Sequence, residues 1–113
     1  MDVETLNDAT FELIAARFRV LGDPMRLRIL HAIGKEEVTV GTLVNVLGAK
    51  QANVSKHLGL LLDAGIVRRR KDGLNAYYTI ADESIFNLCE LVCSSLDERL
   101  AAQRAAVIRY PGQ

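Results

Sequence analysis

Residues 50–65, K-Q-A-N-V-S-K-H-L-G-L-L-L-D-A-G, constrain what this chain can fold into more than any other stretch. Val54, Leu58, Leu61 and Leu62 recur at a spacing of three to four, the mark of a helix with one buried stripe. Gln51, Asn53, Ser55, Lys56 and His57 occupy much of the remaining surface near the start. They are hydrogen-bonding side chains with one full charge among them. The DNA major groove offers mixed donors and acceptors, which Asn, Gln, Ser and cations read. Asp63-Ala64-Gly65 ends the helix, with Gly65 suited to a left-handed cap. The stretch therefore predicts a recognition helix, at about residues 50–64, that enters a DNA major groove.

The flanking chain supplies a frame for such a helix. A first helix is expected at about residues 4–21, with Phe11, Ile14, Ala15, Phe18 and Leu21 on one face. Gly22-Asp23-Pro24 breaks it, and Asp23 and Pro24 suit the N-cap and first position of a second helix that runs to Ile33. Arg26 and Arg28 on that helix read as surface or salt-bridged residues. Thr39 caps a third helix reaching about Leu47, and Gly48-Ala49 is a tight turn into the recognition helix. Two short helices joined in this way form a helix-turn-helix.

Residues 66–80 then read as a two-stranded wing. Asp72-Gly73 is a hairpin signal, although Leu74-Asn75 suggests a tip slightly longer than two residues. Four cations, Arg68 to Lys71, line the outgoing arm. Strand alternation puts Arg68 and Arg70 on one face and Arg69 and Lys71 on the other, so about two of the four can meet one DNA backbone.

A last helix is expected at about residues 82–108. Ile85, Leu88, Cys89, Val92, Leu96, Leu100 and Val107 share a stripe longer than one small domain can cover. The first helix carries a similar surplus, so the first and last helices are expected to pair two copies of the chain. The fold class is thus mainly α with a two-stranded β wing. It is a single winged helix-turn-helix domain over residues 1–113, forming a homodimer through the first and last helices.

The chain has 113 residues, enough for one domain with a modest core. A monomer of this size buries roughly 65% of its unfolded surface, so dimerisation would help it. Net charge is zero, from 14 basic and 14 acidic residues, which counts mildly against a nucleic-acid partner. The distribution counts for it, because residues 50–71 hold six Lys/Arg and one Asp. The acidic start lacks an apolar signal core, and no apolar run approaches the ~18 residues of a membrane span. Two cysteines make no disulfide scaffold. A cytoplasmic location, with no membrane partner, is expected.

For DNA contact the candidates are Lys50, Gln51, Asn53, Ser55, Lys56, His57, Arg68, Arg70 and Lys71. Gln51 and Asn53 are placed for bases, and Ser55 for a phosphate. Lys50 stands at a helix N-terminus, where backbone N–H groups also favour a phosphate. His57 has two readings: a DNA contact, or a brace bonded to the backbone of the preceding turn.

Cys89 and Cys93 stand one helical turn apart and also have two readings. As free cysteines they would be small apolar residues at a dimer interface. As adjoining thiolates they would chelate a soft ion such as As(III) or Cu(I), with a third sulfur from the opposite protomer. Zinc fits less well, since it takes four ligands and no His lies on this helix. No enzyme is expected. The pair is C-x3-C and not the C-x-x-C of redox motifs, and no phosphate loop, nucleotide fingerprint or Ser/His/acid set is present. A winged-helix module that binds protein is the other class, and the cation run and polar recognition face argue against it.

Four runs carry a family resemblance: L-G-D-P-M-R-L-R-I-L (residues 21–30), Q-A-N-V-S-K-H-L (51–58), L-L-D-A-G-I-V-R-R-R-K-D-G (61–73) and A-Y-Y-T-I (76–80). In order and spacing, across about residues 11–100, the chain resembles the ArsR/SmtB family of small dimeric winged-helix repressors. The resemblance implies repression by a dimer on an inverted-repeat operator, relieved by a metal ion, metalloid or thiol-reactive signal. The chain departs from the metal-sensing patterns of that family. Residues 38–43 hold no Cys-x-Cys, and the runs Asp82-Glu83-Ser84 and Ser95-Leu96-Asp97-Glu98 carry serines where zinc-type sensors carry histidines. The second helix also lacks the cysteine of the persulfide sensors. The resemblance therefore leaves two effector expectations: a thiophilic or reactive-sulfur signal at Cys89 and Cys93, or a repressor without a metal effector whose cysteines are structural.

Overall fold

The computed structural model describes residues 6–108, with side chains described up to residue 103. Residues 4 and 5 of the expected first helix, the side chain of Val107 and the chain end 111–113 lie outside the described residues. The described elements run α1 Asp8–Leu21, α2 Pro24–Ile33, β1 Val38–Thr39, α3 Val40–Leu47, α4 Gln51–Asp63, β2 Val67–Asp72, β3 Asn75–Ile80 and α5 Ser84–Ile108.

Side-chain caps set where the first three helices begin. The Asn7 carboxamide accepts from the backbone N–H of Thr10 at 3.0 Å and caps α1, which starts at Asp8. The Asp23 carboxylate accepts from the N–H groups of Met25 and Arg26 at 2.8 and 3.1 Å, and Pro24 fills the first turn. The Thr39 hydroxyl accepts from the N–H of Thr42 and opens α3 as expected. Gly48 then takes φ +62°, which lets the chain turn from α3 into α4 within three residues. A side chain there would meet a left-handed penalty of roughly 1–2 kcal/mol.

The wing differs from expectation in two respects. It belongs to a three-stranded antiparallel sheet in the order β1-β3-β2, not to a two-stranded ribbon. The extra strand, Val38–Thr39, pairs with Tyr78 and Tyr77 and leads straight into α3. The hairpin tip is also shorter than expected. Asp72 pairs with Asn75, leaving only Gly73 and Leu74 in the turn. Gly73 has φ +61° and Leu74 does not have positive φ, the pattern of a type II′ turn whose twist suits a tight hairpin.

The chain divides into two compact units, one ending at Asp82 and the other beginning at Glu83. In the first, Ile29, Leu30 and Ile33 of α2 are buried with Leu43 of α3, with Val54, Leu58 and Leu61 of α4, and with Ile66, Val67 and Tyr78 of the wing base. Each such Leu or Ile contributes roughly 1.5–3 kcal/mol by leaving water. The backbone N–H of Ala81 donates to the Ile66 carbonyl at 2.9 Å and closes the base of the hairpin. The second unit is α5. Its Ile85 is buried, while Leu91, Val92, Leu96 and Leu100 are exposed. On α1, Phe11, Ile14 and Phe18 are exposed as well. Among the described residues, no helix is long and apolar enough to cross a membrane.

Candidate nucleic-acid interface

The core packing of α4 decides which of its residues reach outward. Val54, Leu58 and Leu61 are fully buried. Gln51, Asn53, Ser55 and Lys56 lie outside that stripe and are exposed, together with Lys50 at the helix start. These five expected residues form the exposed surface of the N-terminal part of α4. The helix has no side-chain cap, unlike α1, α2 and α3. The Asn53 N–H donates to the Lys50 carbonyl at 3.1 Å, which leaves the N–H groups of Gln51 and Ala52 beside Lys50 to attract an oxyanion.

His57 does not belong to that face. Its side is turned inward, it is only 9% exposed, and its Nδ1 lies 3.1 Å from Nη1 of Arg26. A guanidinium has donors only, so Nδ1 accepts. Arg26 also donates from Nε to the Val20 carbonyl and from Nη2 to the Arg19 carbonyl. One arginine on α2 thereby ties the end of α1 to the recognition helix. The partner of His57 is thus the Arg26 side chain, not the backbone of the preceding turn. Asp23 lies at the same corner. The Arg26 backbone N–H, with the Arg26 charge and the Met25 N–H behind it, holds the Asp23 carboxyl below its ordinary range.

In the wing, register separates the cations. Arg69 pairs with Tyr78 and Val67 with Ile80, so Val67, Arg69 and Lys71 share the sheet face whose base enters the core. Arg68 and Arg70 occupy the other face. Arg70 is not free. Its Nη2 and Nε donate to the two carboxylate oxygens of Glu37 at 2.7 and 3.1 Å. It also lies 4.7 Å from the centre of the Tyr77 ring and 3.8 Å from Asp72. Arg70, expected among the DNA contacts, is thus engaged with Glu37 in the protein itself. Arg68, Arg69 and Lys71 are exposed and have no ion pair among the described residues. Arg69, outside the expected contact set, is thus an available cation on the same face as Lys71. Strand alternation signalled that face, but sequence alone did not say which of the two faces keeps its charge.

Cys89 and Cys93 are both free and exposed on α5. Among the described residues, no group of three or more His, Cys, Asp or Glu side chains could hold a metal ion.

This architecture matches known proteins over most of its length. The helix-turn-helix domain family matches residues 21–70. The cadmium resistance transcriptional regulatory protein CadC of Listeria innocua is 37% identical over 89 residues, 78% of this chain and 75% of that protein. A transcriptional repressor SmtB homolog from Synechocystis is 33% identical over 97 residues, 86% of this chain and 72% of the other. A homodimeric winged helix-turn-helix DNA-binding domain from Mycobacterium bovis superposes with a TM-score of 0.72 at 29% identity, covering 85% of this chain and 92% of that one. On the strength of these relatives and of the exposed polar face of α4, the chain belongs to the ArsR/SmtB family of winged helix-turn-helix transcriptional regulators, which bind operator DNA and are not enzymes.

Proposed function

We propose that two copies of this chain bind an inverted-repeat operator and repress transcription. The observation that carries this reading is the division of α4, with Val54, Leu58 and Leu61 buried and Gln51, Asn53, Ser55 and Lys56 exposed. Gln51 and Asn53 read base edges, since their amides present a donor and an acceptor together. Lys50, Ser55 and Lys56 hold phosphates, and Arg68, Arg69 and Lys71 of the wing add charge on the flanking backbone. Each copy acts as a single domain over residues 1–113. The exposed stripes of α1 and α5 pair the copies, so that two α4 helices enter successive major grooves about 34 Å apart. Such a regulator works where the chromosome is, in the cytoplasm.

Cys89 and Cys93 are the effector residues in this reading. Two exposed thiols one turn apart suit a soft ion such as As(III) or Cu(I). One protomer offers a pair only, so a trigonal As(III) site requires a sulfur from the second copy. The cadmium resistance regulator of L. innocua supports a thiophilic signal in this family. A specific observation favours a second reading, in which the cysteines are structural. Cys89 stands three residues before the exposed Val92 and Cys93 three before the exposed Leu96, and a partner helix seated there would bury them as small apolar residues.

Operator binding by the reduced protein is the test, run with and without arsenite, Cu(I) and Cd(II), beside a Cys89→Ser/Cys93→Ser variant. Release of the native protein but not of the variant supports the thiol site. Binding that no agent releases supports structural cysteines. A protein that binds no DNA from its own promoter sinks the repressor reading as a whole.

A further inference from the structure

Arg70, one of the wing cations expected at DNA, reaches across the sheet to Glu37. Thr39, Tyr77 and Arg70 form one row across the sheet, because Thr39 and Arg70 are both register partners of Tyr77 on opposite sides of β3. Glu37 precedes Thr39 by two residues, so in an extended chain it points to the same face. Neighbouring strands are about 4.8 Å apart, which puts roughly 10 Å between the β1 and β2 backbones. Arg70 crosses that gap. Its guanidinium passes 4.7 Å from the centre of the Tyr77 ring and meets both oxygens of Glu37 at 2.7 and 3.1 Å. This two-point geometry matches a planar guanidinium to a carboxylate. The Arg70 hydrogen bond holds the Glu37 carboxyl below its ordinary range, so the pair stays charged down into acid.

The position of this pair in the sheet gives it a task. β1 contributes only two residues to its ladder with β3. β2 is the far edge strand, and it carries Arg69 and Lys71. A staple from β2 over β3 to Glu37 limits how far that edge swings relative to β1, which runs directly into α3. We infer that Arg70 is a positioning residue: paired with Glu37 across Tyr77, it fixes the wing against the helix-turn-helix so that Arg69 and Lys71 meet the DNA backbone, and it makes no phosphate contact itself. The inference rests on the DNA-reading role proposed above and specifies how the wing takes part in it.

Two roles for Arg70 predict opposite results, which makes the test decisive. Operator affinity is measured across a salt series for the native protein, Arg70→Met, Glu37→Gln and the charge swap Glu37→Arg/Arg70→Glu, with Arg69→Met as the comparison. A staple predicts that Arg70→Met and Glu37→Gln each weaken binding about two- to fivefold, the range of an exposed ion pair, with the salt slope unchanged. It predicts that the charge swap returns affinity to within about twofold of native, whereas Arg69→Met lowers the salt slope by about 0.9. The inference is overturned if Arg70→Met lowers the slope like Arg69→Met, if Glu37→Gln tightens binding, or if the swap fails to rescue. Amide exchange of β2 in the free protein tests the staple without DNA. Faster exchange in Glu37→Gln is expected, and unchanged exchange overturns the staple even if the native protein binds no operator. Loss of DNA binding by the native protein would count against the proposed function instead, so the two failures stay distinct.

Discussion

The helices α4 and α5 carry apolar stripes of the same kind and end in opposite conditions. On α4, Val54, Leu58 and Leu61 are 0% exposed. On α5, Val92, Leu96 and Leu100 are 50%, 53% and 43% exposed. Both stripes repeat every three to four residues, so periodicity alone treats them alike. The difference lies in what surrounds them. The α4 stripe closes onto α2, α3 and the wing base within one short unit of chain, and this closure turns its polar side outward. On the α5 stripe Ile85 is buried, but Val92, Leu96 and Leu100 are exposed. One stripe stabilises the fold and leaves a polar surface outside it, while the other leaves large apolar side chains exposed.

The comparison can be broken most directly in the core. Leu58→Ala is expected to lower unfolding stability by about 3 kcal/mol, the cost of a cavity under α4. Thermal unfolding should show this loss independently of protein concentration. Leu96→Glu is the matching change on α5. It should cost about 2 kcal/mol of association per copy, since a Leu side chain leaves an apolar contact. Sedimentation equilibrium would read it as dissociation, with the helical content of the first unit kept. If Leu96→Glu lowers the melting temperature of dilute and concentrated protein equally, α5 is covered from within and the contrast fails.

Asn53→Ala sharpens the other half of the contrast. The residue is exposed, so stability should stay within about 0.5 kcal/mol of native. Discrimination between operator and mutated operator should fall by about 1–2 kcal/mol, as expected for a lost bidentate base contact. The smallest effect concerns acid. Asp23 and Glu37, both in the first unit, have carboxyl groups held below their ordinary values of 3.8 and 4.5, Asp23 chiefly by the Arg26 backbone N–H and Glu37 by the Arg70 side chain. A depressed carboxyl stabilises the fold above its unfolded value and loses that contribution as pH falls through the folded value. Stability of the first unit should therefore decline below about pH 4. In Asp23→Asn, which keeps the cap but not the charge, the decline should be shallower in acid denaturation.

Much of this was legible along the chain because the signals are local. Asp23-Pro24 marks the start of α2, Thr39 caps α3, Gly48 turns into α4 and Gly65 closes it, each through a bond or a backbone angle spanning a few residues. The exposed Gln51, Asn53, Ser55 and Lys56 followed from the stripe on their other side. Other features left no such trace. β1 is two residues long, too short for any period to show. Leu74-Asn75 hinted at a longer tip because turn composition is permissive, whereas the Asp72–Asn75 pairing is settled by strand register.

By itself, then, the sequence determined the helix-turn-helix, the recognition face and the membership of a regulator family, since these depend on periodicity, caps and spacing within short windows. Only the tertiary structure decided which charged and polar side chains are available. His57 meets Arg26 across 31 residues and Arg70 meets Glu37 across 33. Both pairings arise because packing and sheet register bring distant residues within 3.1 Å, and the side chain is then engaged within the protein whether it is buried, as His57 is, or exposed, as Arg70 is.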